Sequence, residues 1–300
     1  MKVGAVVRLG PVAEGQDPPR YPAVRDMAQR MDAADLDSLW LYDHLLYRWP
    51  GRATDGIWEC WTMLAALAEA TRRVELGTLV ACTQFRNPAV MAKMAATLDE
   101  VSGGRLTLGL GAGWHRPEFD AFGIPFDHRV GRFEEALRII RPLLREGRVD
   151  FTGSYYAARD GELAPRGPRA TGPPLLVAGS GPRMLRLAAR YADSWNTAWH
   201  DAPASAVPRL ASVRAACEAE GRDPRTLGLT VSVAVAYPDL GPIGPARAYL
   251  TGGAHEVAEA LHGYEALGVA HVMVEFAPYT PAALDSFAEA VRVFRGARRA

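Results

Sequence analysis

Short apolar runs alternate with longer helical patterns along most of this chain. Most of the runs are continuously apolar and do not alternate with polar residues, which is typical of parallel strands covered by helices. Eight of them are predicted strands: Val3 to Val7, Ser38 to Tyr42, Val74 to Val80, Arg105 to Leu110, Pro174 to Ala178, Ser194 to Ala198, Leu229 to Val235 and His271 to Phe276.

Amphipathic helical patterns fill the intervals between these runs, and proline marks several of their starts. Asn87-Pro88 supplies an N-cap and a first-turn proline. Tyr21-Pro22, Gly181-Pro182 and Thr280-Pro281 open other helices. Eight strands alternating with helices in 300 residues is the count for an α/β fold of the (β/α)8 TIM-barrel type. We therefore predict a single barrel domain over residues 1–300.

Two stretches are longer than a minimal barrel needs, at about 114–130 and 147–172. The first follows the fourth strand. Because loops after barrel strands line the active face, we predict that it forms a substrate wall. In the second, Val149 to Phe151 and Ser154 to Tyr156 flank Thr152-Gly153 and predict a small hairpin.

Composition narrows the functional class. The formal net charge is zero, which gives no basic face for nucleic acid or acidic membranes. Cys60, Cys82 and Cys217 are too few and too far apart for a disulfide framework, and the histidines lack metal-ligand spacing, so we expect no metal. No run approaches a membrane span, and the N-terminus resembles a strand more than a signal peptide. We expect a cytoplasmic protein with a small-molecule substrate.

Candidate chemistry follows two of the predicted strands. Asp43 and His44 come directly after the second strand, and a histidine can exchange a proton near neutral pH. From the residues alone, this pair could equally cap the barrel rim. Gly179 to Arg183 joins the fifth strand to a helix, and free N–H groups at a helix start attract phosphate. Such a turn alone is also an ordinary strand-to-helix connection.

Several segments resemble luciferase-like flavin or deazaflavin oxidoreductases in their order and spacing. They are Asp37 to His44, Leu76 to Val80, Arg86 to Asp99, Ser102 to Leu106, Leu108 to Trp114 and Leu187 to Asn196. The resemblance covers nearly the whole chain and is closer to members that use coenzyme F420. Members that use reduced FMN share much of the same skeleton. The resemblance also implies a homodimer.

The resemblance assigns expected roles at the barrel mouth. It makes His44 the proton donor or acceptor, and it places a non-proline cis peptide between Leu79 and Val80 behind the ring of the cofactor. The expected cofactor-binding residues are Asp43, Leu79, Val80, Cys82, Trp114, Gly179, Ser180, Gly181, Pro182 and Arg183.

The loop after the fourth strand departs from the family pattern. Some relatives carry a Glu or Asn there that binds the heterocycle, whereas this chain has Trp114 and His115. We therefore expect Trp114 to form an aromatic wall for the ring or for an apolar substrate. Trp199, His200 and Glu275 lie near strand ends and are weaker candidates for the pocket. Trp49 and Trp58 are smaller signals with no predicted place in it.

Three functions fit these features. The first is an F420-dependent oxidoreductase that transfers a hydride between the deazaflavin and a small organic substrate, with His44 handling the proton. The second is a monooxygenase that uses reduced FMN and dioxygen. The third is a non-catalytic flavin-binding protein. The sequence leaves the substrate and the direction of reaction open, because the loops that select substrates vary freely on this fold.

Overall fold

A closed barrel of eight parallel strands forms the centre of the molecule. The computed structural model describes residues 1–12, 15–243 and 248–296. Each strand pairs with the next along the chain, and β8 pairs with β1. The strands are β1 (Lys2–Val6), β2 (Ser38–Leu41), β3 (Glu75–Thr78), β4 (Leu106–Gly111), β5 (Leu175–Ala178), β6 (Ser194–His200), β7 (Gly228–Ala236) and β8 (Val269–Ala277). The predicted (β/α)8 TIM barrel is confirmed.

Helices surround the barrel, and each predicted proline start is present. The helices are α1 (Tyr21–Ala33), α2 (Cys60–Ala70), α3 (Pro88–Val101), α4 (Arg116–Ala121), α5 (Arg129–Glu146), α6 (Pro182–Tyr191), α7 (Pro203–Ala219), α8 (Ala254–Ala266) and α9 (Pro281–Gly296). The Asn87 side chain accepts hydrogen bonds from the N–H groups of Ala89 and Val90, which caps α3 as expected. In the part of the chain that the structure describes, no helix has the length and apolar character needed to cross a membrane.

Short additional strands lie in the loops that follow the barrel strands. Leu46–Tyr47 pairs with Asp55–Gly56 in the loop after β2. Ala81–Cys82 extends the sheet beside β4, and Leu250–Thr251 does so beside β7. Both of these short pairings are parallel and lie at the C-terminal ends of their neighbouring barrel strands. They lengthen the barrel wall on the side where the active face of such a barrel forms.

Two apolar cores hold the fold together, one outside the strands and one inside the barrel. The outer core fills the space between strands and helices and includes Leu39 and Leu41 of β2. The inner core contains Trp40, between these two in sequence, with Met273 among its other members. Because successive side chains of a strand point to opposite faces, β2 supplies both cores. The same alternation sets the side of the barrel wall to which the residues directly after β2 point.

The hairpin after α5 differs from its predicted form. Its strands are Arg148–Thr152 and Ala157–Glu162, so the returning strand begins later than Ser154. The Glu135 carboxylate explains the difference, because it accepts hydrogen bonds from the N–H groups of Ser154, Tyr155 and Tyr156. These N–H groups are therefore used in a wide turn and are not part of the strand ladder.

The stretch at 114–130, which the sequence predicts as a substrate wall, contains a short helix, and its role as a wall stays a prediction. It contains α4, where the side chains of Glu118 and Phe119 are buried in the protein, while Trp114 before the helix is exposed. In α3, the apolar side chains of Met91 and Leu98 pack in the outer core and are not available for a subunit contact. The homodimer stays a prediction.

A buried histidine at the base of the barrel makes stability depend on pH. His271 Nε2 lies 2.7 Å from the Ser38 hydroxyl, which accepts a hydrogen bond from the Trp40 indole. Burial lowers the pKa of His271 to about 3. The folded state therefore keeps this ring neutral, while the unfolded chain protonates it below pH ~6.5.

We expect the free energy of unfolding to fall between about pH 6.5 and pH 3, because only the unfolded state takes up the proton there. This group alone contributes a slope of up to about 1.4 kcal/mol per pH unit. His271→Gln retains a hydrogen-bonding side chain that does not titrate, so its urea-denaturation series should have a shallower slope. Equal slopes for the two proteins would show that His271 is not the group responsible.

Candidate active site

The two residues after Tyr42 face opposite directions at the mouth of the barrel. Tyr42 packs on the inner core below them. The Asp43 carboxylate is buried against Arg86, just before α3. The His44 ring reaches the segment after β4, where it contacts Trp114 with ring centroids 5.5 Å apart. The alternation of β2 thus separates the acid from the imidazole.

A buried carboxylate orients His44. The Nδ1 atom of His44 lies 3.0 Å and 3.2 Å from the two carboxylate oxygens of Glu118. Glu118 is 1% exposed and also accepts a hydrogen bond of 2.9 Å from the N–H of Leu45. Because Nδ1 donates to the carboxylate, the neutral ring carries its proton there and leaves Nε2 free to accept one. This is the arrangement of a histidine that works as a general base or acid.

Asp43 is the centre of an internal ion pair. Its carboxylate accepts hydrogen bonds from Arg86 at 2.7 Å and 3.1 Å and from the Cys82 N–H at 3.0 Å. Arg86 also pairs with Glu59. Burial raises the pKa of Asp43, and the charge and hydrogen bonds of Arg86 oppose that rise. The carboxylate is therefore bonded to protein groups, and contact between Asp43 and a cofactor stays a prediction.

The segment after β3 closes the top of the inner core. The peptide bond between Leu79 and Val80 is cis, as predicted; Leu79 belongs to the inner core, and the half-buried Val80 packs against it. Cys82 is buried, and burial raises the pKa of its thiol, which suits a pocket wall and not a nucleophile. A Cβ atom on Gly111 would lie 2.5 Å from a methyl group of Val80. That glycine therefore lets β4 pass close to this segment.

The predicted phosphate segment lies on the same face, at the end of β5. Gly181 is the N-cap of α6, and residues 180–183 are exposed. Among the described residues, nothing accepts a hydrogen bond from the N–H groups of Arg183 or Met184. The Arg183 guanidinium lies 3.0 Å from the Glu134 carboxylate. Two free donors at a helix start beside a guanidinium fit an anion such as phosphate.

The weaker sequence candidates are hydrogen-bonded at the mouth. Glu275 accepts hydrogen bonds from Tyr42 at 2.9 Å and Arg8 at 3.1 Å. His200 is buried and lies 3.0 Å from the Thr197 hydroxyl, and burial lowers the pKa of its ring. Within the described ranges, no three His, Cys, Asp or Glu side chains are grouped to hold a metal ion.

Sequence reasoning missed two of the residues that organise this site. Glu118 was part of a stretch predicted as a substrate wall, and Arg86 was noted only as part of a family segment. A weak signal existed for Glu118, because Pro117 precedes it and proline is common in the first turn of a helix. Nothing in the local sequence shows which distant side chain either residue meets.

Comparison with known proteins identifies the family. The sequence model described as luciferase-like monooxygenase matches residues 1–239. The chain belongs to the luciferase-like monooxygenase family. The resemblance seen in its motifs is thereby confirmed.

Two of the curated relatives come from mycobacteria. A phthiodiolone/phenolphthiodiolone dimycocerosates ketoreductase of Mycobacterium sp. (strain JLS) is 35% identical over 69% of this chain and 61% of its own length. An F420-dependent hydroxymycolic acid dehydrogenase of Mycobacterium tuberculosis is 36% identical over 67% of this chain and 55% of its own length. The chain thus spans 61% of the length of the first of these relatives and 55% of the length of the second.

A solved structure agrees with the fold over its full length. An F420-dependent secondary alcohol dehydrogenase in complex with an F420-acetone adduct matches with a TM-score of 0.80, at 20% identity. The match covers 98% of this chain and 99% of that one. It supports the luciferase-like barrel described above.

The Asp43–Arg86 pair gives a test of this organisation. Asp43→Ala should lower the free energy of unfolding by about 2 kcal/mol, because the half-buried Arg86 guanidinium loses a fully buried partner and keeps its pair with Glu59. Asp26→Ala is the matched control, since its pair with Arg25 is exposed and should be worth less than about 1 kcal/mol. Urea denaturation of both variants measures the difference, and equal losses would contradict a structural role for Asp43.

Proposed function

We propose that this chain is an F420-dependent oxidoreductase that moves a hydride between the deazaflavin and a small organic substrate. The observation that carries the proposal is the pairing of His44 with the buried Glu118 at the mouth of the barrel. Membership in a flavin-using family and similarity to an F420-dependent dehydrogenase support the choice of cofactor.

The residues at the mouth fit such a cofactor. Leu79 and Val80 offer an apolar floor, and Cys82 and Trp114 stand beside it. At the other side, residues 179–183 would hold the phosphate, through the N–H groups at the start of α6 and the charge of Arg183. We propose Asp43 as a further cofactor-binding residue. Its carboxylate holds the N–H of Cys82 in place, so it would act through the backbone segment that lies beside the cofactor. When bound, the deazaflavin supplies the carbon that accepts or donates the hydride.

His44 would handle the proton that accompanies the hydride. In alcohol oxidation, the substrate hydroxyl gives its proton to Nε2 as the hydride leaves the adjacent carbon. In ketone reduction, the same nitrogen returns a proton to the carbonyl oxygen. The negative Glu118 stabilises the imidazolium in either direction and holds the ring in place.

Two alternative functions would give different experimental results. A monooxygenase using reduced FMN and dioxygen is favoured by the description of the matched family. The mass and absorbance spectrum of the bound cofactor distinguish FMN from F420. A non-catalytic flavin-binding protein would bind cofactor but show no turnover across a broad panel of alcohols and ketones. The oriented His44–Glu118 pair argues against that third function.

His44→Asn should lower turnover by roughly 10²–10⁴-fold, because asparagine cannot exchange a proton near neutral pH. Glu118→Gln should leave the ring present but poorly stabilised when charged, so turnover should fall less and its pH profile should shift. Stopped-flow absorbance of F420 measures both, with F420 affinity expected to stay close to that of the parent. Near-parental turnover in His44→Asn would move the proton role to another residue or to water.

Gly181→Val should weaken F420 binding by tenfold or more, about 1.4 kcal/mol. A Cβ at Gly181 meets no protein atom within 4 Å, so the substitution obstructs a ligand without disturbing the fold. Gly179 is less suitable for this test, because its φ of +149° and the nearby Met184 would strain a valine in the protein alone. Fluorescence titration gives the affinity, and an unchanged value would place the phosphate elsewhere.

A further inference from the structure

An aromatic shelf stands beside His44 at the barrel mouth. We define it by Tyr47, Trp49 and Trp114, which come from the loops after β2 and β4. The rings of Tyr47 and Trp49 stack with an interplanar angle of 7° and centroids 6.4 Å apart. Trp49 and Trp114 lie 6.0 Å apart, and Trp114 lies 5.5 Å from His44. The shelf therefore begins at the imidazole and extends outward from it.

The shelf presents apolar surface to the mouth. Trp114 is 55% exposed and Trp49 is 38% exposed. Large exposed indoles in contact with one another are uncommon on a soluble surface that has no binding role. Indole rings offer wide apolar faces and a single hydrogen-bond donor each, so they suit alkyl or aryl groups better than sugars or phosphates.

The backbone beneath the shelf is held in place by hydrogen bonds. The buried His115 accepts a hydrogen bond of 3.0 Å at Nε2 from the N–H of Arg48. Glu118 accepts one from Leu45 in the same segment. The two loops are thus joined on both sides of Tyr47. A surface fixed in this way loses little conformational freedom when a ligand binds.

A third indole lies across the mouth. Trp199 is 43% exposed and has a φ of +67°, at a bulge between Ala198 and His200 in β6. That backbone conformation is uncommon for a bulky residue, and bulges near active sites redirect side chains. In a closed ring of eight strands, β6 is opposite β2. The mouth therefore has indole rings on two opposing sides.

We propose that the shelf binds an apolar alkyl or aryl group attached to the reacting carbon. This inference rests on the proposed function and names its substrate class, a hydrophobic secondary alcohol or the matching ketone. In oxidation, the C–H bond breaks as the hydride passes to oxidised F420, the hydroxyl proton passes to His44, and the ketone forms. The apolar group lies on Trp49 and Trp114, which keeps the carbinol carbon close to the imidazole.

Ligand binding without turnover tests the shelf directly. Acetone, 2-pentanone and 2-octanone are titrated by calorimetry against the protein with and without bound F420. Each added methylene should tighten binding about twofold to fourfold, because it leaves water for an indole face. Trp49→Ala should flatten this series, and Trp49→Phe should restore part of it. F420 affinity should not change in either variant.

Trp58→Ala is the matched control, since Trp58 is 45% exposed and its indole donates to the Pro19 carbonyl. It should leave the chain-length series as in the parent protein. With the 2-alcohols, kcat/KM should rise with chain length in the parent and in Trp58→Ala, and much less in Trp49→Ala.

The outcomes separate the two proposals. If F420 does not bind, the proposed function fails, while ketone binding to the unloaded protein still reports on the shelf. If F420 binds and affinity is independent of chain length, the shelf proposal is wrong. A steep series that survives in Trp49→Ala would also overturn it. Light scattering is run on the same variants, and a change of oligomeric state in Trp49→Ala would make the shelf a subunit interface instead.

Discussion

The buried ion pair between Asp43 and Arg86 is the constraint on which the mouth of the barrel depends. The carboxylate ties the end of β2 to the N–H of Cys82 after β3 and to the guanidinium just before α3. A buried charge is tolerated only when it is paired and hydrogen-bonded, so this geometry permits little movement. With Asp43 held outward, the next residue is directed toward the loop after β4. The position of His44 thus follows from a contact that His44 does not make.

A second carboxylate, that of Glu118, orients the His44 ring at this position. Glu118 lies on a short helix that the barrel itself does not require, and its burial brings a negative charge to Nδ1 of His44. The two acids act differently on the same short segment. Asp43 fixes the backbone, and Glu118 orients the His44 ring through Nδ1. The inner core below them supplies a largely apolar floor, and polar side chains such as Tyr42 and Glu275 lie beside it.

Different loops at the rim of the mouth provide the remaining groups that could bind a ligand. The start of α6 offers donors to an anion on one side, and the loops after β2 and β4 offer aromatic surface near His44. In the proposed function, this floor would contact a flat ring mainly through apolar atoms, so one scaffold would accept a flavin or a deazaflavin. The barrel leaves the choice of substrate to the loops that rise above it. In this chain those loops carry indoles.

The sequence by itself determined the barrel, and it predicted where along the chain the site lies. Continuous apolar runs between amphipathic helices are a local property, and so are the proline starts and the glycine turn at Gly181. Family motifs added the cis bond before Val80 and the expected role of His44.

The tertiary structure alone decided which partners these residues meet. Glu118 lies 74 residues beyond His44, and Arg86 lies 43 beyond Asp43. No periodicity encodes such pairings, because they depend on how barrel strands and loops come together in space. The same holds for the hairpin turn, whose width is set by Glu135 on another element, and for Gly111, which lies against the side chain of Val80.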